Sequence, residues 1–197
     1  MWFCSQLGAR EHYAIQRALH RSGALRRLIT DRWAGLSSPM VIGARWDEEL
    51  RDAPVTAFTY SAIGFELLAR ARGLTGWEKV MVRNQWFQRK AVAWFKQNAE
   101  QLKTETLKSG KPIVFSYSYA ARDVFRLSKQ RGWKTILGQI DPGPLEEEIV
   151  RRDHEAYPDF VSDWQPAPAG YCRSWRTEGD LAEAILTIRE TTFYKSR

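Results

Sequence analysis

Apolar residues recur along this chain with two periods, and the switches between them lay out a succession of elements. Trp2-Phe3-Cys4-Ser5-Gln6-Leu7 is a short apolar run of the length of a buried strand, and Gly8-Ala9-Arg10-Glu11-His12-Tyr13 opens a helix directly after it. Ile15, Ala18 and Leu19 keep helical spacing up to Gly23, and Leu25 to Ile29 forms a second strand ending at Thr30-Asp31. Arg32 to Pro54 mixes Gly, Ser, Pro and charged residues and reads as a connection with short helical pieces. Val55 to Tyr60 is β-branched and aromatic, hence a strand, with Ser61 placed to cap a helix that carries Ile63, Leu67, Leu68 and Ala71 to Gly73. No Pro or Gly interrupts Trp77 to Leu107, where Val80, Phe87, Ala91, Trp94, Phe95 and Leu102 predict one stripe of a long helix or a bent pair. Ile113 to Ser118 and Thr135 to Ile140 are two further strands. A helix with Ala121, Val124, Phe125 and Leu127 follows the first, and a turn at Asp141-Pro142-Gly143-Pro144 leads from the second into an acidic helix start at Glu146 to Glu148.

Strands alternating with helices predict an α/β fold, a Rossmann-like parallel sheet with helices on both faces. In such sheets ligands bind beyond the carboxyl ends of the strands. Gly8 to His12, Thr30-Asp31, Tyr60-Ser61, Ser116 to Tyr119 and Gln139 to Gly143 then form one polar, aromatic rim of the kind that takes a sugar or nucleotide. At Gly8 a strand turning at once into a helix would aim backbone N–H groups and a helix dipole at one spot, which suits a phosphate. Asp31 and Asp141 sit just past strands, where aspartates either orient a ligand or bond their own backbone; turn chemistry is the leading reading for Asp31.

Composition narrows the partner. A formal charge of +7 points to a polyanion: nucleic acid, an anionic membrane surface or a phosphorylated small molecule. No helix-turn-helix, RNP-like strand or zinc module supports the first. The long helix carries Trp77, Trp86 and Trp94 among Lys79, Arg83, Arg89, Lys90 and Lys96, a pattern that fits a core stripe with a solvated basic face or a face for a lipid surface. Cys4 and Cys172 are too few for a disulfide framework, and no His/Cys cluster has metal spacing, so neither metal nor cofactor is expected. No apolar run approaches the ~20 residues that span a bilayer, so a cytoplasmic protein is expected, at most peripheral to a membrane.

Gly8 to Tyr13, Phe115-Ser116-Tyr117-Ser118-Tyr119, Leu137 to Pro142 and the acidic stretch Glu146 to Glu148 leading to Glu155-Ala156-Tyr157-Pro158 carry a resemblance. Together they resemble the N-terminal domain of GT-B glycosyltransferases, specifically the retaining group of family 4. The resemblance implies a domain over residues 1–185 with a divergent tail at 186–197. It implies an acceptor-binding half of an enzyme that moves a sugar from a nucleotide diphosphate sugar to a sugar or lipid acceptor without an obligatory metal. Gly8 and Ala9 match the loop that approaches the donor diphosphate, with Arg10, His12, Ser116, Tyr117, Ser118 and Asp141 as further binding candidates. Where many relatives carry a histidine after the fourth strand, this chain has Ser116, Tyr117 and Ser118, so no catalytic residue is assigned. The relatives continue into a donor domain where this sequence ends at Arg197, so little or no turnover is expected without a donor-domain polypeptide. The competing expectations are a non-catalytic carbohydrate or membrane-surface module, or a subunit that completes such a polypeptide.

Overall fold

The computed structural model describes residues 1–34, 45–140, 143–160 and 164–187. Six strands run parallel in one sheet: β1 (Trp2–Gln6), β2 (Leu25–Thr30), β3 (Val55–Ala57), β4 (Ile113–Tyr117), β5 (Lys134–Gln139) and β6 (Ala184–Thr187). Their order, β3-β2-β1-β4-β5-β6, is that of a doubly wound Rossmann-like sheet, whose direction of winding reverses between β1 and β4. The helices are α1 (Ala14–Arg21), α2 (Thr59–Ala71), α3 (Gly76–Gln97), α4 (Ala99–Ser109), α5 (Arg122–Gln130), α6 (Pro144–Ala156) and α7 (Ala169–Leu181).

Period-two alternation within the strands divides the core in two. Phe3, Ile29, Val114 and Leu137 face one cluster with Ala91 and Phe95 of α3, Leu102 of α4 and Phe125 of α5. Their neighbours Cys4, Leu28 and Phe115 face a second cluster, against which Ile15 and Leu19 of α1 pack. β1, β2 and β4 therefore bury both faces, which is why β1 and β4 read as apolar runs rather than alternating ones. Cys4 is a packing residue; burial pushes its thiol well up, and both cysteines are free.

Local details depart from or sharpen these expectations. No helix opens at Gly8, because Glu11, His12 and Tyr13 have left-handed φ of 48°, 46° and 58°, and α1 begins only at Ala14. The cause lies in buried Gln6, whose side-chain amide donates to the Gly8 and Arg10 carbonyls at 2.8 and 3.2 Å and is itself held by Gln16 at 2.6 Å, so the loop coils over it. Ser61 does not cap α2: the Phe58 N–H reaches back to the Thr30 carbonyl at 3.1 Å, the helix starts at Thr59, and Tyr60 is 78% exposed on it. The long apolar stripe is a bent pair, broken at Asn98, and Val80 lies exposed at its start. Finally, β6 continues through Leu186 and Thr187, past the boundary at 185. Among the described residues no helix is long and apolar enough to cross a membrane.

Candidate functional site

The β1–β4 reversal places the loops after both strands side by side, and a cleft of about 500 Å³ opens there. Gly8, Ala9 and Arg10 form one wall, Arg83 and Asn84 of α3 another, and Tyr119 stands between. Arg45 completes it, so three guanidiniums and no carboxylate line the cleft among the described residues.

Asp31 organises this charge from beneath. Its carboxylate is fully buried, and it accepts the Gly8 N–H at 2.9 Å, Arg45 Nη1 at 2.7 Å and Arg83 Nη2 at 3.0 Å. Burial raises its carboxyl, but the Gly8 N–H and the two guanidiniums outweigh that and hold it below the usual aspartate range. One anion thus orders two cations, each with further N–H donors to offer. Glu66 adds a second, more exposed anion, paired with Lys79 Nζ at 2.8 Å and lying 3.9 Å from Arg83 Nε. The cleft keeps a net positive field, and guanidinium forks match the oxygens of phosphate.

Tyr119 is fixed by its backbone. Its φ is +80°, its N–H donates to Glu178 Oε2 at 2.9 Å, and its carbonyl accepts from Gln88 Nε2 at 3.3 Å. Buried Glu178 also accepts the N–H groups of Ala121 and Arg122 at 3.2 and 3.3 Å, so a side chain of α7 caps the start of α5. Gln88 Oε1 takes the next N–H, that of Asp123, at 2.8 Å. Burial pushes the Glu178 carboxyl up to about 7 against the pull of those backbone donors. The Arg10 guanidinium carbon lies 5.7 Å from the centre of the Tyr119 ring, a cation–π contact across the mouth.

Of the residues singled out by sequence, Gly8, Ala9 and Arg10 line the cleft. The Gly8 N–H is spent on Asp31, so the positive field there comes from side chains. His12 is exposed on the left-handed turn and does not line the cleft. Ser116 is buried within the sheet with its hydroxyl donating to the Ser5 carbonyl at 2.8 Å. Tyr117 is buried against Phe115 at 5.0 Å between ring centres, and burial pushes its phenol up to about 12. Ser118 is buried as well. Asp141 lies outside the described residues. Sequence reasoning placed Tyr119 and Asp31 on one rim with Gly8, with turn chemistry as the leading reading for Asp31, and missed Arg45, Arg83 and Glu178 as parts of the site. The usable signal was the aspartate ending β2, 23 residues after Gly8, since that position in doubly wound folds faces the first loop.

In dinucleotide-binding folds with this sheet order that acid bonds a ribose and the first loop is rich in glycine. Here the acid is sealed under Gly8 and two arginines, and Gly8 is the loop's one glycine. Among the described residues no cluster of His, Cys, Asp and Glu could hold a metal ion. Comparison with protein-family models, with curated proteins and with solved structures returns no match.

Proposed function

We propose that this chain is the acceptor-side half of a retaining glycosyltransferase, acting with a donor-domain polypeptide on a nucleotide diphosphate sugar. The observation that supports the reading is the convergence of Arg10, Arg45 and Arg83 on one cleft at the β1–β4 reversal. In the reaction, the acceptor hydroxyl oxygen bonds to the anomeric carbon while the bond from that carbon to the diphosphate oxygen breaks. The hydroxyl proton leaves with the diphosphate. The charge that develops on the leaving oxygens is what prearranged guanidiniums stabilise. Asp31 orders Arg45 and Arg83, so little reorganisation of these two accompanies the step.

Calorimetric titration with pyrophosphate and with UDP-glucose tests the reading. Both bind, and Arg10→Ala, which removes a guanidinium with no carboxylate partner among the described residues, weakens both about tenfold, in line with the ~1.5–3 kcal/mol of a charged hydrogen bond. Absence of binding, or equal affinity in the variant, contradicts it.

A second reading has its own observation. Leu67 and Leu68 are exposed on α2, beside exposed Arg70 and Arg72, which suits a peripheral contact with anionic lipid. In flotation with phosphatidylserine vesicles at low salt, the chain rises with the lipid and a Leu67→Glu/Leu68→Glu variant does not. A chain that stays in the aqueous layer removes this reading.

A further inference from the structure

Beside the cationic cleft lies a smaller pocket of about 220 Å³ between α3, α7 and the loop after β4, and Asn84 and Tyr119 belong to the walls of both. The charges at its edge are matched within the protein. Glu178 receives three backbone N–H groups, and the Arg122 guanidinium bonds Asp123 at 2.9 and 3.2 Å. What the pocket presents to a ligand is therefore neutral: the rings of Tyr171 and Trp175, the apolar Met81, and the polar Asn84, Gln85 and Ser174.

Size and lining narrow the occupant. A volume of about 220 Å³ falls below the ~300–1,000 Å³ of sites that enclose a whole drug-sized ligand, so it takes one ring and excludes a nucleotide. Aromatic faces with side-chain amides and a hydroxyl around them suit a pyranose, whose C–H face packs on a ring while its hydroxyls exchange hydrogen bonds. Next to that ring stand three guanidiniums, which an uncharged sugar would leave unmatched. Arg10 of the cationic cleft lies over the Tyr119 ring, which walls both compartments.

We propose that the adjoining clefts bind a monosaccharide phosphate, its ring in the neutral pocket and its phosphate on Arg10, Arg45 and Arg83. The assignment rests on the two compartments and not on the transferase reading; its phosphate occupies the place that reading gives to the donor diphosphate.

Calorimetry with glucose 6-phosphate, glucose 1-phosphate, free glucose, inorganic phosphate and uridine monophosphate tests it. At least one glucose phosphate binds ten times or more tighter than both inorganic phosphate and free glucose. Ser174→Phe fills the neutral pocket and brings that affinity down to the phosphate level while leaving phosphate binding intact; Arg10→Ala weakens both. Where Ser174→Phe does not fold by circular dichroism, Trp175→Leu removes the aromatic face and predicts the same loss of preference. Glucose phosphates binding no tighter than phosphate, uridine monophosphate binding tighter than either, or a folded pocket variant with unchanged preference each overturns the assignment. A sugar-phosphate preference with no binding of pyrophosphate or UDP-glucose removes the transferase reading and leaves the ligand assignment standing. Failure of the sugar-phosphate preference with pyrophosphate binding intact does the reverse.

Discussion

Asp31 and Glu178 are both fully buried carboxylates, and their surroundings push them in opposite directions. Asp31 has two guanidiniums to hold it charged, so its contribution to stability is present above the ordinary aspartate range and is lost as pH falls through its lowered value. Glu178 has backbone donors, and Arg122 is already engaged with Asp123. Between 4.5, the ordinary glutamate value, and about 7 the native state holds a proton there that the unfolded chain releases. Stability therefore falls as pH rises through that window, by roughly 3 kcal/mol at most. Glu178→Gln, which keeps the acceptor oxygen and cannot ionise, flattens this slope in urea denaturation measured from pH 4.5 to 7.5; an unchanged slope in the variant contradicts the assignment. Neither role was legible in sequence. Asp31 meets Arg83 across 52 positions, and Glu178 meets Tyr119 across 59, separations that only the completed sheet closes. Arg83 on its own looks like one more cation on a solvated helix face.

Elements were more legible than the contacts between them. β1 and β4 stand out because burial of both faces makes each a dense apolar run, and the glycines after α1, α2 and α5 mark ends with φ of 69°, 66° and 65°. β6 escaped notice because Ala184–Thr187 is four residues long and exposed throughout, so neither length nor alternation signals it. The late start of α1 depends on Gln6, a polar residue inside an apolar strand whose purpose shows only when Gln16 and the loop carbonyls surround it. Packing at β5 gives an element-scale prediction. A Cβ at Gly138 would lie 2.7 Å from Tyr117 Cδ1 and 2.8 Å from Phe115 Cζ, and both rings are packed edge to face at 83°. Neither ring can step aside cheaply. Gly138→Ala lowers stability by about 1–3 kcal/mol in chemical denaturation, the range for overpacked cores, and a neutral result would show that the rings yield.

For the whole molecule, the sheet order decides where chemistry can gather. The reversal between β1 and β4 leaves one gap at the carboxyl ends of the strands, and the loop after β1, the start of α3 and the loop after β4 meet over it. Of the cations behind the formal charge of +7, three arginines share that gap, two of them ordered by one buried aspartate. The alternation of strands and helices made the fold and the position of the first loop readable. Arg10 was read on that loop, but the rest of the gap's charge was not readable, because Arg45 and Arg83 come from a connection and a helix that sequence alone leaves unplaced. Amide chemical-shift mapping with pyrophosphate tests the central claim most directly. The account predicts shifts concentrated at Gly8, Ala9, Arg10, Asn84 and Tyr119 that weaken as salt is raised. Shifts confined to the exposed Arg70 and Arg72 at the end of α2, with those five amides unmoved, would contradict it.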